Sequence, residues 1–173
     1  MNHNFRTINK EEFPRVFRLM QESFPASEFR AYEKQLALLA RSDYKIMSVE
    51  QEGCVQAFLA EWDLPAFRFI EHFAVSPTSR GKGLGSEIMY AYLSVTHMPI
   101  VIEVESPHTR VAVHRISFYE RLGFVLSDME YKQPSLRKDA TEVSLRLMHY
   151  PREMTRAALE AAKADIFQTI YER

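Results

Sequence analysis

The sequence predicts an α+β fold, in which helices flank a mixed and mostly antiparallel β-sheet. Three observations predict it: three strand-like runs in a row joined by short turns, a glycine-rich loop between the last of these runs and a helix, and a later alternation of strand and helix patterns. A length of 173 residues suits a single domain. Because 46% of the residues are hydrophobic, the chain can bury a full core, and disorder is not expected.

Eleven elements are predicted from the periodicity of the apolar residues. An alternating pattern predicts the first strand, and apolar residues at helical spacing, such as Phe13, Val16 and Met20, predict the helix after it. Ser27 is a candidate N-cap for the second helix. The predicted order is β-α-α-β-β-β-α-β-α-β-β, over residues 4–8, 10–23, 28–41, 44–50, 54–62, 67–75, 83–97, 100–105, 111–122, 124–131 and 142–150.

The end of the chain predicts one more helix. Gly123 lies where a C′ glycine ends the helix before it. Beyond the last strand, Met154, Ala161 and Ile166 recur at helical spacing. We therefore expect one domain over residues 1–150 and a C-terminal helical extension over residues 151–173 that packs on the same domain. A homodimer contact is the alternative role for this helix.

Composition and charge exclude several classes of protein. A formal net charge of -1 gives no basic surface for nucleic acid or for a membrane. Cys54 is the single cysteine, so neither a disulfide within the chain nor a multi-cysteine zinc site is expected, and its apolar surroundings predict a small core residue. The histidines other than His72 and His114 lack metal-ligand spacing and are expected at the surface or in caps; these are His3, His97, His108 and His149.

Targeting signals are not expected either. Residues 1–13 contain no apolar run of the kind that a signal peptide needs, and no window reaches the length that spans a bilayer. A cytoplasmic protein is therefore the expectation.

The most informative stretch is the loop SRGKGLGS, residues 79–86. Gly81, Gly83 and Gly85 let the main chain approach a ligand closely, and the start of the following helix adds partial positive charge. Arg80 and Lys82 add two full positive charges. The loop is therefore a candidate cradle for a pyrophosphate group.

Other interpretations of this loop can be weighed from the residues alone. A Walker A loop requires Ser or Thr after Gly-Lys and a glycine at the position of Ser76, and neither is present. A dinucleotide-binding loop is closer in spacing, but it follows the first strand of a parallel unit, whereas antiparallel strands precede this one. A glycine-rich turn with no ligand is the third interpretation, and the glycines alone do not decide between them.

Residues flanking the loop carry a resemblance to a known family. FIEHFAVSPTSRGKGLGSEIM, residues 69–89, followed by FYERLGF, residues 118–124, is similar to the GCN5-related N-acetyltransferase (GNAT) family. Arg80, Gly83 and Gly85 match the family's acyl-CoA motif, and the second segment matches the helix and strand that follow. The resemblance extends over residues 1–150 in the order of the elements and is sharp over residues 69–125.

The resemblance implies a cofactor and its binding residues. In the family, the main chain of the strand equivalent to Phe73, Ala74 and Val75 binds the pantetheine arm of acetyl-CoA, the acetyl donor. The loop wraps the pyrophosphate, which in this sequence involves Arg80, Gly81, Lys82, Gly83, Leu84, Gly85 and Ser86. One departure is Ala112, which lies where family members often have a cofactor-contacting Asn.

The resemblance also implies catalytic residues. Glu71 interrupts an apolar strand just before the loop, where the family often has a Glu or His as general base; as a structural residue it would be a charge at the strand's edge or the partner of an arginine. His72 is expected on the opposite face of the strand unless a β-bulge intervenes. Tyr119 matches the family tyrosine that protonates the departing sulfur, and packing of its helix is the alternative role.

The acceptor side is predicted less closely. Glu103 and Glu105 share a face of an otherwise apolar strand, and they either bind a cationic amine or form structural salt bridges. If they and Glu71 face the acceptor, the site is acidic and favours a cationic small-molecule amine over neutral or anionic ones. Other residues that could face the acceptor are Trp62, Tyr131, Gln133 and the segment 22–35. The predicted function is an acetyl-CoA-dependent N-acetyltransferase without a metal; the alternative is a non-catalytic acyl-CoA-binding module.

Overall fold

Seven strands form one mixed sheet in the computed structural model, which describes residues 5–136 and 142–171. The strands are β1 (Arg6–Thr7), β2 (Tyr44–Gln51), β3 (Cys54–Asp63), β4 (Arg68–Val75), β5 (Ile100–Glu105), β6 (Val125–Gln133) and β7 (Val143–Tyr150). Their spatial order is β1-β2-β3-β4-β5-β7-β6. β4 and β5 run parallel, whereas β1–β2, β2–β3, β5–β7 and β6–β7 are antiparallel. The predicted mixed, mostly antiparallel sheet of an α+β fold is confirmed.

Five α-helices accompany the sheet within these described residues. They are α1 (Phe13–Ser23), α2 (Tyr32–Ala37), α3 (Leu84–Val95), α4 (Arg110–Arg121) and α5 (Arg156–Ile166). Short 3₁₀ turns cover Ala26–Glu28, Leu38–Ala40 and Pro77–Ser79, and a π-helical turn, Phe167–Tyr171, continues α5. Apart from the second helix and the start of α1, which was predicted at residue 10 instead of Phe13, each predicted element lies within about two residues of its observed bounds. His3, Asn4 and the last two residues of the predicted extension lie outside the described residues, and the domain boundary at residue 150 stays a prediction.

The prediction for the second helix was wrong at its start. Ala26–Glu28 form a separate 3₁₀ turn, and Ser27 does not cap a helix. Phe29 then adopts extended backbone angles, φ -143° and ψ 157°, and Ala31 is also non-helical. Helix α2 therefore begins only at Tyr32. Residues 24–31, the α1–α2 connection, are consequently an irregular segment whose side chains can turn toward the sheet.

The first of two compact units comprises Met1–Trp62 and Glu71–His97. Leu84 and Ile88 of α3 pack on one face of its strands, against Val49 and Ala57. Phe58 follows Ala57 and therefore points to the other face, since side chains alternate along a strand. There its ring contacts Phe24 of the α1–α2 connection, with 6.4 Å between the ring centroids. Helices thus cover both faces of these strands.

The second compact unit comprises Asp63–Ile70 and Met98–Arg173. On one face of its strands, Tyr150 contacts Phe124, which in turn contacts Tyr119 of α4. Leu147 pairs with Glu103 on the opposite face of the sheet, and the turn after α5 reaches this face through Tyr171. The C-terminal extension therefore packs on the face that does not carry α4.

Of two predictions from local sequence, the one for Gly123 is confirmed and the one for Cys54 is wrong. Gly123 has a φ of +96° just after α4, and Phe124 N–H bonds the Tyr119 carbonyl at 3.1 Å, so the predicted C′ glycine is confirmed. Cys54 was expected in the core, but it is exposed at the first position of β3, beside a turn that contains Gly53. The apolar residues after Cys54 belong to the buried part of β3, and burial does not extend back to the turn.

Across residues 5–136 and 142–171, no helix combines the length and the apolar character needed to cross a bilayer.

Candidate active site

The glycine-rich loop lies between β4 and α3, as the sequence predicts, and its main chain is shaped for close approach. Gly81 and Gly83 have φ values of +73° and +85°, a region that side-chain-bearing residues rarely adopt. A Cβ atom built on Gly81 would meet no atom within 4 Å, and one on Gly83 would meet only the Glu87 carboxylate at 3.9 Å. The loop surface at both glycines is therefore open to a ligand.

The start of α3 offers unpaired donors beside these glycines. Gly83 occupies the N-cap position without a side chain to cap the helix, and the first intrahelical bond runs from Glu87 N–H to the Gly83 carbonyl at 3.0 Å. The N–H groups of Leu84, Gly85 and Ser86 precede that first bond, as in any helix start. Such N–H groups and the helix dipole favour an anion.

Two basic side chains of the loop are exposed and tied to nearby main chain. The Arg80 Nε donates to the Val75 carbonyl at 2.9 Å, and the Lys82 Nζ donates to the Thr78 carbonyl at 2.8 Å. Both therefore add positive charge at the loop, and neither forms an ion pair with a carboxylate of residues 5–136 or 142–171. The donors, the charge and the open glycines fit a pyrophosphate group.

The residues of β4 just before the loop are partly exposed, and at Glu71 the exposed part is main chain. The Glu71 side chain is only 2% exposed, yet the residue as a whole is partly exposed. The exposed surface at this position therefore belongs to its backbone. Phe73 and Val75 are also partly exposed, while Ala74 between them is buried. Exposed strand backbone can hydrogen-bond an extended ligand as another strand would.

Glu71 itself is a buried carboxylate with two donors. Its Oε1 accepts a hydrogen bond from Arg30 Nη1 at 2.7 Å, and its Oε2 accepts one from Trp62 Nε1 at 2.9 Å. Burial opposes ionisation, but the Arg30 charge and these hydrogen bonds outweigh it and hold the pKa of Glu71 below its usual value. The carboxylate is therefore ionised at neutral pH, and Arg30 is its counter-ion.

His72 is buried beside Glu71. Its Nε2 lies 2.8 Å from the Glu28 carbonyl, which can only accept, so Nε2 carries the proton in this contact. Burial lowers the pKa of His72, so the ring is neutral at physiological pH. The Nδ1 atom is then unprotonated and can only accept a hydrogen bond. It has no hydrogen-bond partner among the described residues, and it lies 4.0 Å from the Glu71 carboxylate.

β4 does not alternate regularly at these two residues. A regular strand places consecutive side chains on opposite faces. Glu71 and His72 both reach the α1–α2 connection instead, through Arg30 and Glu28. Phe73 and Val75 pack with α3 on the other face. Two consecutive residues on one side are what a β-bulge produces, and a β-bulge is the exception under which His72 was not expected to face away from Glu71.

Tyr119 lies on α4 and is buried, with 7% of the residue exposed. Its ring contacts Phe118 and Phe124 at centroid distances of 5.2 and 5.4 Å. Burial raises the pKa of Tyr119 to about 12, although the Arg115 charge opposes this. The phenol therefore stays protonated throughout the physiological range and is available as a hydrogen-bond donor.

Glu103 of β5 is the centre of a second buried polar cluster. Its Oε1 accepts a hydrogen bond from the Tyr131 hydroxyl, and its Oε2 accepts one from the Tyr171 hydroxyl at 2.7 Å. Gln133 Nε2 donates to the Tyr171 oxygen at 3.0 Å. Glu105 lies two residues along the same face and is half-buried. Glu103 thus accepts hydrogen bonds from the hydroxyl groups of two tyrosines.

The sequence named most of these residues but missed two of their partners. Trp62, Tyr131 and Gln133 were candidates for the acceptor side, and each donates a hydrogen bond to one of the two clusters. Arg30 lies in segment 22–35, which was expected to face the acceptor, but no sequence pattern indicated that it pairs with Glu71. Tyr171 lies in the terminal extension, and nothing in the sequence linked it to Glu103. Among the histidines, His149 is buried instead of lying at the surface, and His3 lies outside the described residues.

No group of three or more His, Cys, Asp or Glu side chains that could hold a metal ion occurs within the described part of the chain.

Comparison with protein families gives one match. The family model for the acetyltransferase (GNAT) domain matches residues 34–126, which is more than half of the 173 residues. This range includes β4, the glycine-rich loop and Tyr119. No curated protein matches the chain in sequence.

Solved structures are similar over nearly the whole fold. A putative acetyltransferase of the GNAT family from Bacteroides thetaiotaomicron has a TM-score of 0.88 and 27% identity, over 97% of this chain and 98% of that one. The ribosomal-protein-S18-alanine N-acetyltransferase from Escherichia coli has a TM-score of 0.66 and 20% identity, over 88% and 96%. A spermidine N-acetyltransferase SpeG chimera from Vibrio cholerae has a TM-score of 0.65 and 12% identity, over 86% and 95%. The last two comparisons show the fold alone. With the family match and the loop geometry together, the chain belongs to the GNAT acetyltransferase family.

Proposed function

We propose that the protein is an N-acetyltransferase that moves the acetyl group of acetyl-CoA onto a primary amine of a small cationic molecule. The observation that carries the proposal is the loop from Arg80 to Ser86, whose open glycines, exposed basic side chains and helix-start N–H groups fit a pyrophosphate. Acetyl-CoA supplies a thioester-activated acetyl group. The products are the N-acetylated amine and CoA with a free thiol.

The donor is held by main chain and loop. We assign the pyrophosphate to the loop, with Gly81, Gly83 and Gly85 giving close approach and Arg80 and Lys82 giving charge. The main chain of residues 73–75 is assigned to the pantetheine arm, as the family resemblance implies. Leu84 and Ser86 complete the loop at the start of α3.

Tyr119 is proposed as the acid. A departing thiolate gains stability from a hydrogen-bond donor and then from a proton. The Tyr119 hydroxyl retains its proton because burial raises its pKa to about 12. Since the phenol is fixed by Phe118 and Phe124 on either side, it donates with little loss of side-chain freedom.

Glu71 is proposed as the base, and its environment defines how it acts. With its pKa held below the usual value, it is a weak base toward a free ammonium group. The amine nitrogen becomes far more acidic once it bonds to the acetyl carbon, and a weak base then suffices. Each Glu71 oxygen accepts one hydrogen bond from the protein, whereas a carboxylate can accept about four. The remaining lone pairs receive the proton, directly or through water.

The acceptor is proposed to be cationic because of β5. Glu103 and Glu105 lie on one face of the strand, and both are partly exposed. Arg30 neutralises Glu71, so we assign the attraction of a cationic acceptor to the two carboxylates of β5. Negative charge at a site raises the local concentration of cations.

The test measures free thiol while the protein is incubated with acetyl-CoA and a panel of amines. Thiol release that depends on a cationic amine supports the proposal, and Tyr119→Phe should lower the rate by roughly 10²-fold or more. The matched control is Tyr90→Phe, which removes the hydroxyl of a tyrosine that is 57% exposed on α3 and should leave the rate unchanged.

Binding without transfer would reveal a different function. If acetyl-CoA raises the melting temperature but no amine in the panel releases thiol, the protein is an acyl-CoA-binding module and the proposed transfer is wrong.

A further inference from the structure

A cavity in the first compact unit is lined by residues other than those assigned to acetyl transfer. It has a volume of about 310 Å³ and lies between α1, the start of β3 and the turn that follows β4. At its border, Arg15 of α1 bonds Glu50 of β2. Glu50 follows Val49, which packs against α3. Because side chains alternate along a strand, the cavity lies on the face of the sheet opposite α3, and its volume suits a small molecule.

Two opposite charges of α1 line this cavity. Arg18 and Glu22 are four residues apart, so their side chains start from neighbouring positions on one face of the helix. An arginine that precedes its glutamate by four residues is in the less favourable order for pairing. Within residues 5–136 and 142–171, neither side chain forms an ion pair, whereas Arg15 is paired with Glu50 at 3.1 Å. The cavity therefore offers a ligand one positive and one negative charge.

The position of Glu22 in the helix favours a cation beside it. Glu22 lies in the last turn of α1, which ends at Ser23, and this turn contains no basic residue. The carbonyl groups at a helix C-terminus carry partial negative charge, so a carboxylate there is unfavourable by itself. An ammonium group of a ligand would be attracted both by Glu22 and by the end of the helix.

The opposite wall of the cavity offers a hydrogen-bond donor. The hydroxyl oxygens of Ser76 and Thr78 are 2.8 Å apart, so one of their two hydrogens forms this bond and the other is left for a ligand. The pairing of β2 with β3 skips Gln56, which makes it a β-bulge, and the Gln56 carbonyl accepts a hydrogen bond from Ser76 N–H at 2.8 Å. The two strand ends that form this wall are therefore fixed to each other. The apolar part of the lining is Leu19, Val55 and Pro77.

We propose that this cavity binds a small zwitterion of the α-amino acid class, with its carboxylate at Arg18 and its ammonium group at Glu22. A free amino acid carries both charges on one carbon atom, which suits two side chains one helical turn apart. Its side chain would lie on the apolar part of the lining. A ligand with a single charge uses only one of the two partners. The site goes beyond the proposed acetyl transfer and does not depend on it.

The experiment measures binding to the full chain by calorimetry, without acetyl-CoA. The probes are L-leucine, 4-methylpentanoate and 3-methylbutylamine, which share a branched apolar chain. Leucine carries both charges, and each of the others carries one. The wild-type Kd of leucine should be roughly tenfold lower than that of either analogue, because a second charge-assisted hydrogen bond forms only with leucine.

Two variants assign each charge to its partner. Arg18→Met should raise the Kd of leucine roughly tenfold and should not weaken the binding of 3-methylbutylamine. Glu22→Gln should raise the Kd of leucine by a similar factor and should not weaken the binding of 4-methylpentanoate. The matched control is Arg121→Met, which removes an exposed arginine of α4 and should leave all three values unchanged. Equal Kd values of leucine and its analogues in the wild type, or leucine binding that neither variant weakens, would overturn the inference.

The single cysteine reports where the probe binds. Cys54 is exposed and lines the cavity, so saturating leucine should slow its alkylation by iodoacetamide in the wild type. The same leucine concentration should protect Cys54 less in Arg18→Met. Alkylation at the same rate with and without bound leucine would place the amino acid elsewhere, and this too would overturn the inference.

Discussion

Replacing Arg30 by Met should destabilise the protein strongly, because it leaves the Glu71 carboxylate buried without its counter-ion. The Arg30 and Glu71 side chains are 10% and 2% exposed, and their atoms are 2.7 Å apart. Removing one member of a buried ion pair typically costs about 3–5 kcal/mol. At about 2–4 °C per kcal/mol for a chain of this size, the melting temperature should fall by roughly 6–20 °C. Trp62 would remain as a donor to Glu71, which favours the lower end of this range.

The pH dependence of stability tests whether the buried Glu71 charge causes the destabilisation of Arg30→Met. In the wild type, Arg30 holds the pKa of Glu71 below its unfolded value, so the pair's contribution is present at neutral pH and is lost only as the pH falls through that depressed value. In Arg30→Met, the Arg30 charge no longer offsets burial, the Trp62 hydrogen bond offsets it only in part, and the folded-state pKa of Glu71 should lie above the unfolded value. The folded variant then binds more protons than the unfolded chain, so its stability rises as the pH falls. The gap between the variant and the wild type should therefore narrow from about pH 7.5 to about pH 5.

Urea denaturation at both pH values measures the free energies of unfolding. The matched control is Arg156→Met, in an i,i+4 pair with Glu160 whose side chains are 69% and 60% exposed; such pairs contribute about 0.3–0.5 kcal/mol. The double variant Arg30→Met/Glu71→Gln, which leaves no buried charge, should recover much of the loss. If Arg30→Met destabilises no more than Arg156→Met, or if its deficit does not depend on pH, the ion pair is not what anchors the α1–α2 connection to β4.

Three further predictions concern the loop, the acid and the cysteine. Gly83→Ala should lose the rise in melting temperature that acetyl-CoA gives. The control Gly53→Ala, also at positive φ but in the β2–β3 turn, should keep that rise, and both variants should lose about 1–2 kcal/mol of stability. Equal effects of acetyl-CoA on the two variants would argue against the loop as the binding site. The rate of acetyl transfer to an amine should increase with pH up to the amine's own pKa. It should not fall at any pH below 10, because the pKa of Tyr119 is about 12 and the phenol keeps its proton. A rate that declines with pH near neutrality would exclude Tyr119 as the acid. Cys54 should react with a thiol reagent at full rate in the native state, and slow labelling that accelerates on unfolding would contradict its exposed position.

Much of the fold could be predicted because its signals are local. The strand and helix periods, the turn glycine at 53 and the C′ glycine at 123 each depend on residues that are near one another in the chain. The loop of residues 79–86 could be identified for the same reason, since its glycines, its basic residues and the helix start are contiguous. Burial of Cys54 was predicted wrongly from the same kind of local pattern, because the end of a strand and its middle have the same composition here.

The roles of the acidic residues depended on contacts between distant segments. Glu71 meets Arg30, 41 residues away, only because the α1–α2 connection is extended and β4 is irregular at Glu71 and His72. Glu103 meets Tyr171 only because the turn after α5 lies over its face of the sheet. Periodicity carries no information about which side chains meet across such distances, since many pairings satisfy the same pattern. The sequence by itself therefore determined the strands, most of the helices and the position of the glycine-rich loop, whereas the tertiary structure decided which carboxylate is neutralised by an arginine and which is held by tyrosines.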